Sequence, residues 1–355
     1  MARALRLAER GIYTAHPNPV VGCVLVRDGQ IVGEGWHRRA GEAHAEINAL
    51  AAAGERARGA TAYVTLEPCS HHGKTPPCAP ALVEAGVAEV VIAMQDPFPA
   101  VSGNGQAVLE AAGIRVRSGL MQAASQALNA GFLSRVRHGR PFVRLKVASS
   151  IDGAIAMKSG ESQWITGPEA RADVQRLRAR SGAILTGIGT VLADDPALTV
   201  RHAELGGDDR QPIRAVLDSR LRMPLSAGML AMPGRTIVYC ADNTRQQPLL
   251  EAGARVVRVK TAAAVLDARQ VLADLADLEV NDVLVEAGPS LSGHLLASGL
   301  VDELVIYQAP HIMGSETKPM FRTPGWQRLA DRRALDIVDM RRIGSDIRIT
   351  ARPKD

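Results

Sequence analysis

The chain has 355 residues, of which 46% are hydrophobic and 22% are charged, so it is long enough for two folded domains. Aromatic residues make up only 3%, which argues against the base-stacking surfaces of single-stranded nucleic-acid binders. The net charge of +5 comes from 42 basic and 37 acidic residues that are spread along the chain. This pattern excludes a basic nucleic-acid-binding arm and is compatible with a phosphorylated small-molecule ligand.

The sequence carries no pattern typical of export or membrane insertion. Its first 19 residues lack the uninterrupted apolar core of a signal peptide, and no apolar run approaches the roughly 20 residues of a membrane span. Four cysteines are too few for a disulfide scaffold at this length. We therefore expect a cytoplasmic protein without membrane or nucleic-acid partners, in which clustered cysteine and histidine residues bind a metal or act in catalysis.

The first 140 residues alternate between helix and strand patterns after an opening hairpin. Two apolar, β-branched runs, residues 20–26 and 31–37, flank an Asp-Gly turn and predict this hairpin. Helices are predicted over 2–10, 44–57, 78–87, 105–114 and 121–136, and strands over 60–70, 88–97 and 115–120. The alternation predicts a three-layer αβα domain around a central sheet.

Residues 137–141, Arg-His-Gly-Arg-Pro, are predicted to connect this domain (1–140) to a second α/β domain (141–355). In the second domain, strands are predicted over 142–153, 182–191, 213–219, 235–241, 254–260, 281–288, 302–313 and 346–353. Helices are predicted over 167–181 and 289–300. The chain contains no internal repeat and no low-complexity segment.

A candidate metal site combines two cysteines with a histidine-glutamate pair. Cys69 follows a buried strand and Cys78 begins a helix, whose positive end favours a thiolate. His44 is the best candidate for a third ligand, because three protein ligands plus water make up a catalytic zinc site. Glu46 would then take a proton from the water and deliver it to the leaving group. This requires the tip of the helix to point at the metal, since residues two apart on a helix otherwise diverge.

Each half of this cluster has a simpler interpretation when it is taken alone. His44 and Glu46 could be the polar start of an ordinary helix, and Cys69 and Cys78 could be small buried hydrophobic residues. Taken together they match the H-x-E and P-C elements of zinc deaminases. The second cysteine, however, follows after eight intervening residues rather than two.

Three motifs, "HPNPVVGCVLVRDGQIVGEGWH", "AGEAHAE" and "TLEPCSHHGKTPPC", closely resemble the deaminase half of the bifunctional deaminase/reductase family of riboflavin biosynthesis. That family has the longer cysteine spacing. The resemblance implies a cytidine-deaminase-like fold, one zinc ion on His44, Cys69 and Cys78, and Glu46 as proton shuttle. It also implies release of ammonia from a phosphoribosylated diaminopyrimidinone.

Three polar side chains near these motifs are candidate substrate contacts. His71 and Lys74 lie in the loop between the cysteines and could meet a phosphate or a pyrimidine edge. Asn18 could read a pyrimidine amide edge with its donor and acceptor groups. The alternatives are a solvated loop for His71 and Lys74 and a turn-forming role for Asn18.

The second domain carries two weaker ligand-binding signals. The turn between the strand over 281–288 and the following helix is rich in Gly and Ser, which is typical of an anion site at a helix start. Ser219, Arg220 and Arg222 follow another strand and could bind an adenosine 2′-phosphate. A helix cap and a polar strand-end turn are the alternatives.

The segments "KVASSIDG", "ESQWITG", "LRARSGAILTGIGTVLADDPALTVR" and "VEAGPSLSG" resemble the reductase half of the same family. The resemblance implies a dihydrofolate-reductase-like α/β fold that uses NADPH to reduce a ribosyl group to ribityl. It implies cofactor contacts at Ala148, Trp164, Thr190, Asp194, Ser219, Gly288, Pro289, Ser290, Leu291, Ser292, Gly293 and His294. It implies substrate contacts at Ser162, Arg178, Leu198, Arg201 and Glu286.

The residue types agree with this chemistry. Two arginines, Arg178 and Arg201, could clamp a sugar phosphate, and Glu286 could bind sugar hydroxyls. Lys146 and Asp152 are candidates for assisting ring opening or protonating the sugar oxygen, with buried ion pairs as the alternative.

Two other functions compete with this interpretation. A nucleic-acid deaminase with an accessory domain predicts salt-sensitive tRNA binding, and the mild charge and few aromatics argue against it. A non-catalytic protein with structural zinc predicts a closed four-ligand site. The sequence leaves open a homo-oligomer, transfer of the intermediate between domains, the residue that protonates during reduction and the choice of NADPH over NADH.

Overall fold

The computed structural model describes residues 1–71, 76–98, 102–201, 205, 210–262, 265–323 and 325–354. Two compact units divide the chain, Met1–Gly139 and Arg140–Asp355, and this division falls one residue before the predicted boundary. Within the described ranges, no helix is both long and apolar enough to cross a membrane.

The first unit consists of a five-stranded sheet with helices on both faces. Its strands are β1 (Gly22–Arg27), β2 (Gln30–Trp36), β3 (Thr61–Val64), β4 (Glu89–Ile92) and β5 (Arg115–Ser118). Its helices are α1 (Ala2–Glu9), α2 (Ala45–Ala53), α3 (Cys78–Glu84), α4 (Asn104–Ala111), α5 (Gln122–Leu128) and α6 (Ala130–His138). The strand order is β2-β1-β3-β4-β5, with β1 antiparallel to both neighbours and the other pairs parallel. The predicted hairpin and three-layer fold are therefore confirmed.

Two glycines on β2 bring α2 into direct contact with the sheet. A Cβ atom on Gly33 would lie 2.3 Å from the backbone oxygen of Ala49, and one on Gly35 would lie 2.3 Å from that of Ala45. Any side chain at these positions would force the helix away from the strand. This close packing fixes where α2 begins and therefore where its first residues point.

The second unit is built on a nine-stranded sheet of order β11-β10-β9-β8-β14-β6-β15-β18-β17. Its strands are β6 (Phe142–Ser150), β7 (Ala154–Met157), β8 (Ala183–Gly187), β9 (Ile213–Leu217), β10 (Thr236–Cys240), β11 (Arg255–Arg258), β12 (Thr261–Ala262), β13 (Val265–Leu266), β14 (Asp282–Glu286), β15 (Glu303–Ala309), β16 (Thr317–Pro319), β17 (Leu335–Ile343) and β18 (Asp346–Pro353). Its helices are α7 (Pro168–Arg180), α8 (Ile188–Asp194), α9 (Gly228–Ala231), α10 (Gln247–Glu251), α11 (Ala268–Asp277) and α12 (Pro289–Ala297).

Seven neighbouring strands of this sheet, β11 to β15 in the sheet order, are parallel; β18 pairs antiparallel with β15, and β17 pairs antiparallel with β18. One face packs against α11 and α12, and the other packs against α7 and α8. Because the carboxyl ends of parallel strands meet at one edge, ligands of such sheets bind there.

Several sequence-based boundaries are wrong. The strand predicted over 182–191 ends at Gly187, where α8 begins, because an apolar run of this length fits either structure. The helix predicted over 121–136 is interrupted at Asn129, which separates α5 from α6. The helix α11 and the strand β17 were not predicted.

The interruption at Asn129 has a tertiary cause. Its side-chain oxygen accepts from the backbone N–H of Val20 at 2.9 Å, and its amide nitrogen donates to the Val20 carbonyl at 3.0 Å. Asn129 is 4% exposed, so it satisfies both backbone groups just ahead of β1 in a site without water access.

Asn129→Ala should lower the free energy of local opening in the first unit by about 2–4 kcal/mol, because it leaves two buried backbone groups unpaired. Native-state hydrogen exchange of peptides from residues 1–139 measures this change. Gln122→Ala, on the exposed surface of α5, is the control. Equal protection in the two variants would contradict the expectation.

Candidate active sites

The first candidate site lies where α2, α3 and the segment after β3 meet. His44 is the residue before α2 and has extended backbone angles, φ −72° and ψ 168°. Cys78 is the first residue of α3, and Cys69 lies in the segment that follows β3. One donor atom from each of the three residues lies within 4.8 Å of the others. The predicted convergence of His44, Cys69 and Cys78 is therefore present in the structure.

The distances among the three donors suit a small, sulfur-preferring metal ion. The Nδ1 atom of His44 lies 3.3 Å from the Sγ of Cys78 and 3.6 Å from the Sγ of Cys69. The backbone N–H of Cys78 donates to the Sγ of Cys69 at 3.3 Å. Two sulfurs and one imidazole nitrogen fit zinc and leave its fourth position open, as in catalytic zinc sites. Among the described residues the cluster offers no fourth His, Cys, Asp or Glu ligand, contrary to a closed structural site.

Charge within the cluster is divided unequally between the two thiols. A hydrogen bond from the Cys78 thiol, reinforced by His44, lowers the pKa of Cys69 to about 4. The same hydrogen bond, together with burial, raises the pKa of Cys78. The pair therefore holds one thiolate at neutral pH, and a bound metal cation would favour the second, because ligand sulfurs coordinate as thiolates.

Glu46 lies in the first turn of α2 and is 3% exposed. Burial raises the pKa of its carboxyl group to about 7. A carboxyl group with a pKa near the working pH can both accept and donate a proton. Because His44 precedes the helix in extended conformation, the two side chains avoid the divergence expected of residues two apart within one helix.

His37, which the sequence interpretation overlooked, lies beside the metal cluster. Its ring meets that of His44 edge to face, with centroids 5.3 Å apart. Its Nε2 lies 3.0 Å from the side-chain nitrogen of Asn18, and its Nδ1 lies 3.2 Å from the carbonyl of Ala43. Burial lowers the pKa of His37, which favours the neutral ring. The sequence signal that could have identified His37 is its position at the end of the predicted hairpin, directly after β2.

The other predicted contacts of the first unit are less defined. Asn18 belongs to the site through His37, and its role in reading a pyrimidine stays a prediction. His71 is exposed and near enough to Asp96 for its charge to act on that carboxyl group. Lys74 lies outside the described residues.

The second candidate site contains a buried charged cluster on the α7 face of the nine-stranded sheet. Arg178 donates to both carboxylate oxygens of Glu286, from Nε at 2.6 Å and from Nη2 at 3.0 Å. The Nζ of Lys146 lies 3.9 Å from Glu286. Burial lowers the pKa of Lys146. Burial by itself would raise the pKa of Glu286, but the positive charges of Arg178 and Lys146 outweigh it and hold that pKa below its usual range.

Of the two arginines predicted to bind a sugar phosphate, Arg178 already has protein partners. Arg178 also donates from Nη1 to the carbonyl of Thr199 at 3.0 Å, so its guanidinium group is occupied by Glu286 and the backbone. Arg201 is exposed, and its charge acts on Glu286. Of the two predicted phosphate ligands, Arg201 is therefore the one that remains accessible.

The predicted cofactor residues are distributed over several elements of the second unit, and their binding role stays a prediction. Ala148 lies in β6, Thr190 and Asp194 lie in α8, and Ser219 follows β9. Trp164 is 68% exposed and stacks with Arg171, whose guanidinium carbon lies 4.7 Å from the ring centroid. The predicted substrate residues Ser162 and Leu198 are half-buried and buried, respectively.

The turn after β14 is the predicted anion site. Gly288 precedes α12, Pro289 is its first residue, and the amides of Ser290 and Leu291 have no acceptor within the helix by their position. The following residues, Ser292 and Gly293, are buried, and His294 is half-buried.

Gly293 faces the protein rather than the turn. A Cβ atom there would lie 1.9 Å from the backbone oxygen of Arg322. The Ser292 hydroxyl donates to the Ala287 carbonyl at 3.2 Å. Gly293 and Ser292 therefore pack against the protein, whereas Ser290 and Leu291 carry the backbone amides that could bind an anion.

The strand-end arginines near Ser219 differ in their availability. Asp218 is fully buried, accepts from the N–H of Met223 at 2.8 Å and pairs with Nε of Arg222 at 3.3 Å. Among the described residues no hydrogen bond or ion pair engages Arg220, which is exposed. The sequence could not distinguish these two arginines.

Asp152 is bound to a loop rather than poised for proton transfer. Its carboxylate accepts from the Ser150 hydroxyl and from the backbone N–H of Gly314, the latter at 2.8 Å. These hydrogen bonds lower the pKa of Asp152 to about 2. A carboxylate that remains ionised down to this pH is a poor proton donor at neutral pH.

Comparisons with known proteins assign a family to each of the two units. Residues 1–94 match the family model for the cytidine and deoxycytidylate deaminase zinc-binding region, and residues 141–349 match the RibD C-terminal domain. The fold and the two sites thus define a two-domain enzyme in which a zinc-type deaminase domain precedes a reductase domain.

Full-length relatives specify the family. The chain is 51% identical to the riboflavin biosynthesis protein RibD of Escherichia coli, covering 98% of this chain and 96% of that protein. It is 45% identical to the Haemophilus influenzae protein of the same name, covering 100% and 96%. The protein belongs to the RibD family and is a bifunctional deaminase and reductase of riboflavin biosynthesis.

Solved structures support the same assignment. RibD of Acinetobacter baumannii (form 1) superposes with a TM-score of 0.92 at 45% identity and covers 100% of this chain and 98% of that chain. A Thermotoga maritima protein described as a diaminohydroxyphosphoribosylaminopyrimidine deaminase/5-amino-6-(5-phosphoribosylamino)uracil reductase superposes with a TM-score of 0.87 at 34% identity, covering 100% and 97%.

Arg178→Met should destabilise the second unit by about 3–5 kcal/mol, because it leaves the buried Glu286 carboxylate without its bidentate partner. Hydrogen exchange of peptides from residues 140–355 measures the loss. Arg176→Met on the same helix is the matched control: Arg176 is 59% exposed and its ion pair with Asp173 should contribute less than about 1 kcal/mol. Equal costs for the two variants would refute a structural role for the buried pair.

Proposed function

We propose that the first unit deaminates diaminohydroxyphosphoribosylaminopyrimidine and that the second reduces the product, 5-amino-6-(5-phosphoribosylamino)uracil, with NADPH. The reduction would give 5-amino-6-(5-phosphoribitylamino)uracil. The substrate names come from the Thermotoga maritima relative, whose described activities fit a chain with these two domains. The convergence of His44, Cys69 and Cys78 beside the buried Glu46 is the observation that carries the deaminase half.

In the deamination, His44, Cys69 and Cys78 would hold one zinc ion, which supplies Lewis-acid activation of a water molecule. Glu46 would accept a proton from the attacking water and transfer it to the departing amino group, so that water and amine become carbonyl and ammonia. Its raised pKa supports both halves of this transfer. The nearby ring of His37 supports His44 from one side.

In the reduction, the second unit would hold NADPH, which would supply a hydride for the aldehyde carbon exposed when the ribosyl ring opens, and a proton added to the oxygen would complete the ribityl group. Hydride transfer belongs to the cofactor, so the protein positions both reactants and excludes water. Lys146 is the stronger candidate for proton transfer, because it faces Glu286 whereas Asp152 is bound to the loop at Gly314. The edge that holds Ser219 and the Gly288 turn suits the two ends of a dinucleotide.

Four broader expectations stay predictions for this protein. They are a phosphorylated pyrimidine as the small-molecule partner, the absence of nucleic-acid partners, the absence of membrane partners, and a cytoplasmic location, whereas the sequence leaves the oligomeric state open. Light scattering of the purified chain checks the oligomer.

Glu46→Gln should reduce ammonia release by a factor of about 10²–10⁴, because glutamine cannot carry the proton. Reduction of the deaminated substrate by the same preparation should be unchanged, since that site belongs to the other unit. A zinc chelator should likewise abolish ammonia release and spare NADPH consumption. Undiminished ammonia release by Glu46→Gln would end the assignment of Glu46.

Arg220→Ala should raise KM for NADPH about tenfold and leave KM for NADH unchanged, because only NADPH carries the 2′-phosphate. Arg222→Ala is the matched control, since Arg222 is already paired with Asp218. Initial rates with both cofactors measure the difference. A similar rise for NADH, or a larger rise for Arg222→Ala, would contradict this role of Arg220.

A further inference from the structure

Glu67 is a buried acidic residue that has no role in the proposed mechanism. It lies two residues before Cys69 and is 4% exposed. Among the described residues no cation pairs with it. Instead, its carboxylate accepts four backbone N–H groups from the segment between β4 and the first turn of α4.

The four hydrogen bonds divide equally between the two carboxylate oxygens. Oε2 accepts from Asp96 and Gly103, both at 3.1 Å. Oε1 accepts from Gly105 at 3.0 Å and Gln106 at 3.2 Å. Both oxygens must therefore be acceptors. A carboxylate meets this requirement, and a carboxamide of the same shape does not, since its nitrogen can only donate.

Backbone contacts near Glu67 also join its segment to the residues that follow β4 and to the start of α4. Its own N–H donates to the carbonyl of Met94 at 3.0 Å, beyond the end of β4. A Cβ atom on Gly105 would lie 1.9 Å from the carbonyl oxygen of Pro68. The start of α4 thus lies directly against the Glu67–Cys69 segment, and only glycine allows this approach.

The residues 67–69 are connected to the candidate metal site through α3 and through Asp96. The carbonyl of Cys69 accepts from the N–H of Ala79 at 3.0 Å, which joins Glu67's segment to the helix that carries Cys78. On the other side, Asp96 is close enough to Cys69 and His71 for their charges to act on its carboxyl group.

We propose that Glu67 is a positioning residue for deamination: its buried carboxylate ties Asp96 and residues 103–106 to the strand end that carries Cys69. The inference rests on the zinc ligand set proposed above. Glu67 touches neither metal nor substrate in this assignment, and it acts by holding Cys69 and Asp96 in register. Its chemical requirement is two acceptor oxygens, rather than a negative charge near the metal.

The test uses full-length, zinc-loaded protein and two variants. Glu67→Gln removes one pair of acceptor sites, and Gly105→Ala separates α4 from Pro68 without changing any charge. Each should transfer zinc to a colorimetric chelator at least about tenfold faster than the parent and lose about tenfold in ammonia release per bound zinc. A purely structural role would lower the yield of loaded protein but would leave turnover per bound zinc unchanged.

Glu89→Gln is the matched control. Glu89 lies at the opposite end of β4 and pairs with Arg117 at 2.7 Å, so its loss should alter neither zinc transfer nor turnover. Reduction of the deaminated substrate shows that the second unit of each variant is folded. If Glu67→Gln gives no folded protein, Gly105→Ala decides the question alone.

His44→Ala separates this inference from the ligand assignment beneath it. If His44→Ala retains zinc as the parent does, the ligand set is wrong and the role of Glu67 falls with it. If His44→Ala loses zinc while both segment variants stay within about twofold of the parent in transfer rate and turnover, only the role of Glu67 is overturned.

Discussion

The close packing of α2 against β2 is the constraint on which the deaminase site depends. Gly33 and Gly35 let the helix backbone approach the strand to a distance that no side chain would permit. The helix therefore begins at a fixed point, with His44 extended before it and Glu46 buried in its first turn. A shift of one residue in this register would turn Glu46 away from the cluster. Catalysis by proton transfer tolerates little such displacement.

In the second unit, a buried ion pair holds the polar side chains in place. Arg178 on α7 grips Glu286 at the end of β14 with two hydrogen bonds, and Lys146 faces the same carboxylate from β6. Buried charges are costly unless they are paired, so the three side chains hold one another in fixed positions. In both units the candidate site residues include groups at the carboxyl ends of strands, where ligands of parallel sheets bind.

Much of this organisation could be predicted from local patterns. The hairpin, the strand–helix alternation and the metal donor set follow from periodicity, turn residues and the spacing of Cys69 and Cys78. The failures occur where a distant contact decides or where an apolar run fits both a strand and a helix. Asn129 interrupts a helical pattern because its side chain binds Val20, 109 residues away in sequence. The apolar run over 182–191 fits a strand throughout, yet α8 begins at Ile188.

The sequence by itself determined the residue types available to this protein: a zinc-type donor set, a carboxylate predicted to transfer a proton, the order of two α/β domains and the family to which it belongs. Only the tertiary structure decided which groups are available. It engages Arg222 with Asp218 and leaves Arg220 exposed, and it brings His37 to His44. It also surrounds Glu67 with backbone amides. Residue type and periodicity report what a side chain can do and whether it is buried. Its partner is set by chain segments far away in sequence.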